Sequence, residues 1–359
     1  MATDLKVLFM SVNLMETAPE DGHITQMIKD LDVANHDILV VGEQETKAKS
    51  AHTYIPQLVA KAKPGGQKWF YGDPDGDPKK DPCVNKDAKK SRKTATATIG
   101  SRTLTCGVTW NEKVNALGPT FDSEVVKGLR KAVVLYTAKG GCVVYMDFKG
   151  RRLAFVSCHL NDESTKNRDT ELAKILKNVE DNKTDVVFLG GDLNYRPIYE
   201  GEEIPESDPT LKAIHADRKG FYTKHDPFGQ GKAALVATHK MTFPDPDFWP
   251  TYKRDVKGTM NLAANAGLPE ITKFYSLPKM AIEVVDGDGK RQKVEAKAGG
   301  EVKKKRRGEY AIGWLDRIGY KVMGKGAVKV NWFKSFPSLF KGDHCPVALS
   351  TTVSVDLEG

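Results

Sequence analysis

One segment of the sequence places a carboxylate and a carboxamide directly after an apolar run. The run 186–189 is followed by two glycines at 190–191, and then by Asp192 and Asn194. Residues two apart on an extended backbone project to the same side, so we expect Asp192 and Asn194 to face one site. An ionised carboxylate there can accept a proton from water or bind a hard cation. The same pair also fits a turn at a strand end, where Asp and Asn hydrogen-bond the backbone.

Further polar side chains stand at comparable places beside apolar runs. They are Asn13, Glu45, His159, Asp316, Asp343 and His344. Taken alone, each of them has an ordinary structural explanation. A histidine can be a core residue with satisfied hydrogen bonds, and the others can be helix caps or surface charges. Together they would gather carboxylates, imidazoles and carboxamides at strand ends, where a rigid sheet can position an active site. This oxygen-rich set favours Mg²⁺, whereas neither an HExxH motif nor a Cys/His cluster points to zinc.

Short apolar runs rich in β-branched residues predict the strands that would position these groups. The runs cover 5–12, 37–41, 132–136, 142–148, 153–158, 186–189, 328–333 and 346–355. Apolar residues at helical spacing predict helices over 24–31 and 171–179. Strands alternate with helices early in the chain and cluster later, which favours packed sheets with outer helices.

The chain of 359 residues, with 40% apolar side chains, is long enough to bury a sizeable core. Length alone would allow two domains of about 150 residues. We predict a single domain over 1–356, because strand-like runs continue on both sides of two polar stretches, 63–101 and 286–308. We interpret these two stretches as long loop insertions.

The sequence also carries signals about where the protein acts. No run of 18 apolar residues is present, and neither end shows a leader or a lipidation motif. The five cysteines are scattered, which fits reduced thiols. We therefore expect a soluble, cytoplasmic protein.

Positive charge is concentrated in the two polar stretches. The whole chain has a net charge of +8, while Lys79 to Lys93 holds seven basic and two acidic residues. Arg291 to Arg307 holds eight basic and two acidic residues. Such segments attract phosphates, nucleic acid or anionic lipid, or they are simply solvated loops. Peripheral contact with an anionic membrane through these basic loops is one expectation.

Four segments, taken in order along the chain, resemble the signatures of the inositol polyphosphate 5-phosphatases, which belong to the endonuclease/exonuclease/phosphatase superfamily. They are Gly191-Asp192-Leu193-Asn194-Tyr195-Arg196, Pro250-Thr251-Tyr252-Lys253, Trp314-Leu315-Asp316-Arg317, and Asp343-His344 followed by Pro346-Val347. The resemblance spans 5–355 and identifies the chain as a divergent member. It implies an α/β fold, a four-layered α/β sandwich of two packed, mainly antiparallel or mixed β-sheets flanked by helices.

The resemblance further implies Mg²⁺-dependent hydrolysis of the 5-phosphate of phosphoinositides or of soluble inositol polyphosphates, by direct attack of water. In this chain Glu45 corresponds to the main Mg²⁺ ligand, assisted by Asn13 and Asp343. Either a phosphoinositide lipid or a soluble inositol phosphate would be the partner, and we expect a monomer.

The same comparison implies the catalytic residues. Asp192 would activate the attacking water, and Asn194 would hold water or phosphate. His344, oriented by Asp316, would hydrogen-bond the phosphate as charge develops on it. His159 would contact the scissile phosphate from another side.

Substrate binding is implied for a second group of residues. Tyr252 and Lys253 would contact a 4-phosphate, for which a phenol and a compact positive charge are suited. Lys139 would add another charge near the substrate, and Arg196 completes the first signature as a substrate-binding residue.

Two alternatives remain open at this point. A Mg²⁺-dependent nuclease or a sphingomyelinase-like phosphodiesterase would share the same fold and the same core residues. The basic stretches would suit DNA, but Tyr195-Arg196 and the segment 250–253 argue against nucleic acid as a partner. The other alternative is a non-catalytic module that binds phosphoinositides or another polyanion, which would require the loss of at least one core residue. The core is intact in the sequence.

Overall fold

The computed structural model describes most of the chain. The described residues are 2–15, 19–47, 55–71, 94–99, 102–128, 139–162, 164–198, 207–256, 262–275, 281–285, 291–295 and 312–356. The strands among them are β1 (Ala2–Asn13), β2 (Ile38–Lys47), β3 (Trp69–Phe70), β4 (Thr94–Ile99), β5 (Arg102–Asn111), β6 (Thr120–Lys127), β7 (Gly140–Phe148), β8 (Arg151–His159), β9 (Val186–Asp192), β10 (Ala281–Val285), β11 (Arg291–Glu295), β12 (Asp316–Val322), β13 (Ala327–Ser335) and β14 (Val347–Asp356). The helices are α1 (Asp21–Asp30), α2 (Ile55–Ala62), α3 (Glu112–Asn115), α4 (Thr165–Asp181), α5 (Ser207–Ala216), α6 (Arg218–His225), α7 (Ala234–Ala237) and α8 (Leu268–Phe274).

The strands form two large sheets and one hairpin. The first sheet has the order β13-β14-β1-β2-β5, and both β3 and β4 pair with β5. The second sheet has the order β12-β9-β8-β7-β6, while β10 and β11 pair with each other. Strand β1 runs parallel to β2, and β8 runs parallel to β9. The other pairs are antiparallel, so both large sheets are mixed.

The main core lies between the two sheets. Phe9 and Val40 of the first sheet pack in one apolar cluster with Phe155 and Phe188 of the second. A second cluster joins the outer face of β1 and β2 to α1, and a third joins β8 and β9 to α4. This order of helix, sheet, sheet and helix confirms the predicted four-layered α/β sandwich, because each sheet buries both of its faces.

The predicted elements are confirmed wherever the structure describes them, with longer bounds in places. Helix α4 begins at Thr165, six residues before the predicted start, because the hydroxyl of Ser164 caps it by accepting the Asn167 N–H. The predicted strand over 132–136 lies outside the described residues. Strand β5 was missed because threonines alternate with its core residues, and that alternation lowered the local apolar content.

The interpretation of 63–101 and 286–308 as loops is wrong only at the strands that the structure describes within them. Strands β3 and β4 lie in the first stretch and β11 lies in the second. The Thr-Ala alternation of β4 is itself a strand pattern, and it pairs along β5. Both basic runs fall outside the residues with described side chains, so their contact with a membrane stays a prediction.

The described helices are all too short or too polar to cross a bilayer. Four cysteines, Cys106, Cys142, Cys158 and Cys345, are buried thiols, and Cys83 lies outside the described residues.

Candidate active site

Three polar side chains meet where strands of the second sheet end. His159 and Asp192 are the last residues of β8 and β9, and they are partners in the parallel register. Asp316 begins β12 and is the antiparallel partner of Asp192. All three side chains are buried. Register therefore places them side by side across three adjacent strands.

The glycine before Asp192 is required by close packing of the backbone. Gly191 has a φ of +147°, and a Cβ atom there would lie 1.9 Å from the carbonyl oxygen of Cys158. No larger residue fits this position. The second glycine of the pair thus lets β9 approach β8 closely, beside the register partners Asp192 and His159.

Two further candidates come from the first sheet. Asn13 ends β1, and its Nδ2 lies 3.5 Å from Oδ2 of Asp192. Glu45 was expected after a strand, but it lies within β2 at a bulge, where its φ is +57°. The bulge redirects the side chain, a common role of bulges beside active sites. Oε1 of Glu45 lies 3.9 Å from Nε2 of His159.

His344 reaches the cluster from the segment that precedes β14. Its Nδ1 donates to Oδ2 of Asp316 over 2.8 Å, so the ring orientation is set by that carboxylate. Its Nε2 lies 3.7 Å from Oδ2 of Asp192, which is longer than a hydrogen bond. His344 is therefore held between two carboxylates and hydrogen-bonded to one of them.

Electrostatics fix the protonation of this cluster. Burial alone would lower the pKa of His344, but Asp316 and Asp192 raise that pKa to about 10. Burial alone would raise the pKa of Asp192, but the charges of His344, His159 and Lys139 hold it below its usual range. At neutral pH His344 therefore carries a proton and Asp192 is ionised.

Lys139 adds a cation to the same place. Its Nζ lies 2.6 Å from Nε2 of His159, and that Nε2 lies 3.4 Å from Oδ2 of Asp192. Nδ1 of His159 is buried and has no hydrogen-bond partner among the described residues. The structure therefore places Lys139 beside His159, and its contact with a substrate stays a prediction.

Two interpretations were open for Asp192 and Asn194, and the structure shows the turn at a strand end and not the extended backbone. Asn194 has a φ of +54°, and its N–H donates to Oδ1 of Asp192, so the chain turns here. Its side chain donates to the carbonyl of Leu160 and accepts from Arg196. A strand followed by a turn explains why Asp and Asn occur two residues apart. A contact of Asn194 with water or phosphate stays a prediction.

Tyr252 lies against His344, and Arg196 lies against Tyr252. The Tyr252 ring centre is 4.7 Å from that of His344, and the Arg196 guanidinium lies 4.9 Å from the centre of the Tyr252 ring. Burial raises the pKa of Tyr252 to about 12, so its phenol keeps its proton. Lys253 follows as a half-buried residue, and its predicted contact with a phosphate remains a prediction.

Two neighbours of Tyr252 were not assigned a role from the sequence. Thr251 accepts backbone N–H groups at the start of β12. Arg254 is buried, and its side chain donates to the carbonyl oxygens of Pro337, Phe340 and Gly342. It thereby anchors the segment that leads into Asp343 and His344. A role for Thr251 could have been expected because it lies in the segment 250–253, which resembles a family signature. Nothing in the sequence indicates that Arg254 is buried.

The predicted metal ligands can be compared with the geometry. Asp343 lies in the segment beside Asn13, since a Cβ on Gly342 would be 3.2 Å from the Asn13 carbonyl. The Asp343 charge also acts on Tyr252 and His344. Carboxylates such as those of Glu45 and Asp343 are the ligands that Mg²⁺ prefers. Asn13 presents its amide nitrogen to Asp192 while its Oδ1 accepts the Met15 N–H, so metal binding by these three residues stays a prediction.

Another group of possible ligands comes from the cluster itself. Within the described residues, Asp192, Asp316 and His344 offer ligand atoms that lie within 4.8 Å of one another. Nδ1 of His344 already hydrogen-bonds Asp316, which leaves only Nε2 of this imidazole for another partner. In this arrangement His344 fits an acid better than a ligand.

Comparisons with known proteins agree with this fold. The model of endonuclease/exonuclease/phosphatase family 2 matches residues 82–267. Among solved structures, the inositol polyphosphate 5-phosphatase domain of SPSynaptojanin, in complex with inositol (1,4)-bisphosphate and calcium ion, is similar with a TM-score of 0.63. The sequences are 15% identical, and the match covers 99% of this chain and 86% of that one.

A Cimex nitrophorin, solved as a ferrous NO complex, is also similar. Its TM-score is 0.52 at 14% identity, covering 98% of this chain and 99% of that one. No curated protein matches the chain. At such low identity the structures establish the fold alone, which hosts different chemistries. Because the family model matches more than half of the sequence, the chain belongs to endonuclease/exonuclease/phosphatase family 2.

Proposed function

We propose that the protein is a Mg²⁺-dependent phosphatase that removes the 5-phosphate of inositol polyphosphates or phosphoinositides. The observation that carries this proposal is the contact of Tyr252 with His344, whose ring centres are 4.7 Å apart. Tyr252 belongs to the signature that resembles 5-phosphatases and that nucleases of the superfamily generally lack. Its position beside His344 supports a role for Tyr252 in binding the substrate.

Glu45 and Asn13, with Asp343, would hold the Mg²⁺ ion. The bulge in β2 turns Glu45 towards His159, and Asn13 faces Asp192. When bound, Mg²⁺ supplies positive charge that neutralises phosphoryl oxygens. A carboxylate with further oxygen donors is a common protein ligand set for this ion, which keeps its other positions for water and phosphate.

Asp192 would orient the attacking water and accept its proton. The N–H of Asn194 fixes Oδ1, while Oδ2 faces His159 and His344. The depressed pKa keeps Asp192 ionised at neutral pH. Phosphoryl transfer depends mainly on positioning and on charge stabilisation, so a weak but fixed base is sufficient.

His344 would donate a hydrogen bond to a phosphoryl oxygen. Its Nδ1 is engaged with Asp316, which leaves the Nε2 proton directed towards the side of Asp192. Lys139 and His159 would contact the phosphate from the neighbouring strand ends. These donors are fixed before the substrate arrives, which is how a preorganised site stabilises developing charge.

The inositol ring would lie along Tyr252, with Lys253 and Arg196 for its other phosphates. Arg196 already packs on the ring of Tyr252. The similar 5-phosphatase domain was crystallised with inositol (1,4)-bisphosphate, which supports an inositol phosphate as the ligand class here.

The proposal is tested by phosphate release from soluble inositol phosphates and short-chain phosphoinositides, each assayed with Mg²⁺ and with EDTA. We expect Mg²⁺-dependent release from substrates that carry a 5-phosphate. No release, combined with nicking of plasmid DNA that weakens steeply with salt, would favour a nuclease instead. Binding without any hydrolysis would favour a non-catalytic module.

A further inference from the structure

Thr251 is a fully buried residue with hydrogen bonds to two separate parts of the site. Its hydroxyl oxygen accepts the N–H groups of Leu315 at 3.1 Å and of Asp316 at 3.2 Å. Its carbonyl oxygen accepts the N–H of Cys345 over 2.8 Å. One residue therefore bonds both to Asp316 and to the residue that follows His344.

The chain around Thr251 strengthens this connection. The next residue, Tyr252, pairs with Gly313 on one side and with His344 on the other. These short pairings place the segment between the two stretches that carry Asp316 and His344. The stretches are 28 residues apart in sequence, and the 2.8 Å contact between their side chains depends on how they are aligned.

We propose that Thr251 is a positioning residue that aligns Asp316 with His344, and that its hydroxyl group is needed for turnover. This inference rests on the proposed function, since the role of the pair is to donate a hydrogen bond to phosphate. A hydroxyl oxygen can accept two N–H groups, which an aliphatic side chain of the same shape cannot do. Without it, the two buried N–H groups would shift to find other acceptors, and Asp316 would move with them.

The variant Thr251→Val keeps the shape and removes the hydroxyl, while Thr251→Ser keeps the hydroxyl. We expect Thr251→Val to lower kcat by up to about 100-fold with little change in KM, because small displacements are costly at a reacting centre. Thr251→Ser should stay close to the native kcat. The matched control is Thr184→Val. Thr184 lies just before β9, and its buried hydroxyl donates to the carbonyl oxygen of Val179 in α4. This control variant should leave kcat unchanged.

A double-mutant cycle with Asp316→Asn separates positioning from a general loss of stability. If Thr251 acts through Asp316, Thr251→Val should cost much less in the Asp316→Asn background than in the native chain. Equal losses in both backgrounds, or a native kcat in Thr251→Val, would overturn the proposal. Should Thr251→Val fail to fold, Thr251→Ala enters the same cycle, since its smaller side chain leaves room for water.

A second readout does not depend on activity. The Nδ1 proton of His344, assigned by its loss in His344→Asn, reports the bond to Asp316 in a proton NMR spectrum. We expect this resonance to shift or broaden in Thr251→Val and to persist in Thr251→Ser and Thr184→Val. If the native protein hydrolyses no inositol phosphate, the proposed function fails, and this resonance alone decides the role of Thr251. An unchanged resonance in Thr251→Val would refute that role.

Discussion

His344 donates its Nδ1 proton to Oδ2 of Asp316 over 2.8 Å, although the two residues come from different segments of the chain. The contact orients the imidazole so that its other nitrogen faces Asp192, 3.7 Å away. The pair of carboxylates keeps His344 protonated, and the imidazolium in turn keeps Asp192 ionised. Each group therefore has the charge that its proposed role requires.

The first prediction concerns pH. Because the pKa of His344 is raised to about 10, the donor form persists through neutral pH and is lost only above that value. We expect kcat/KM to fall on the alkaline side of a pH profile as this proton leaves. Asp316→Asn removes the carboxylate that raises the pKa most, so the fall should move to lower pH.

The same shift makes a contribution to stability with a defined sign. The folded pKa of His344 lies above its ordinary value of about 6.5, so the stabilisation is complete below that pH. It is lost as the pH rises towards 10. If the alkaline fall of kcat/KM stays at the same pH in Asp316→Asn, the assignment of that fall to His344 is wrong.

The second prediction concerns Asp192. Asp192→Asn keeps the size of the side chain but removes the proton acceptor, so we expect kcat to fall by about 1,000-fold or more. The control is Asp185→Asn, at the other end of β9, where the carboxylate accepts the N–H groups of Arg152 and Lys325. It should keep its activity even if its melting temperature drops. Comparable turnover in both variants would remove Asp192 from the mechanism.

The third prediction concerns the metal. Glu45→Gln removes a charged oxygen ligand, so half-maximal activity should require roughly tenfold more Mg²⁺. Glu112→Gln is the control, because Glu112 is exposed after β5, at the opposite end of the sheet. Titrations of activity against Mg²⁺ measure both variants. An unchanged Mg²⁺ requirement in Glu45→Gln would show that the ion binds elsewhere, for instance at Asp192 and Asp316.

The fourth prediction concerns specificity. Lys253→Ala should raise KM about tenfold for substrates with a 4-phosphate, because the loss of one charged hydrogen bond is of this size. The increase in KM should be much smaller for substrates without a 4-phosphate. The exposed Lys174 of α4 provides the control variant Lys174→Ala. Steady-state kinetics on a matched pair of substrates give the result. An equal increase in KM for both substrates would mean that Lys253 does not contact the 4-phosphate.

Much of the fold could be predicted because its central strands are continuous apolar runs. Strands such as β1 and β9 are buried on both faces, so their composition alone marks them. Strand β12 could not be found this way, since its sequence contains glycine, arginine and lysine and gains its place through pairing with β9. Long-range pairing of this kind leaves little local signal.

The sequence indicated several residues of the candidate site but not the backbone conformations that position them. Polar residues at strand ends indicated Asn13, His159 and Asp192, and the structure brings them together. The bulge that turns Glu45 inwards was not foreseen, and the turn at Asn194 was one of two alternatives that the sequence left open. Both depend on backbone conformations that non-glycine residues adopt only when the surrounding fold holds them there.

The proposed reaction removes a 5-phosphate and needs Mg²⁺. The most direct measurement is phosphate release from inositol 1,4,5-trisphosphate and inositol 1,4-bisphosphate, with Mg²⁺ or EDTA, for the native protein and Asp192→Asn. We expect phosphate release from the trisphosphate alone, with the bisphosphate as product, and we expect this release to be lost in EDTA and in Asp192→Asn. Release from both substrates alike, or release that persists in EDTA or in Asp192→Asn, would contradict the proposed reaction.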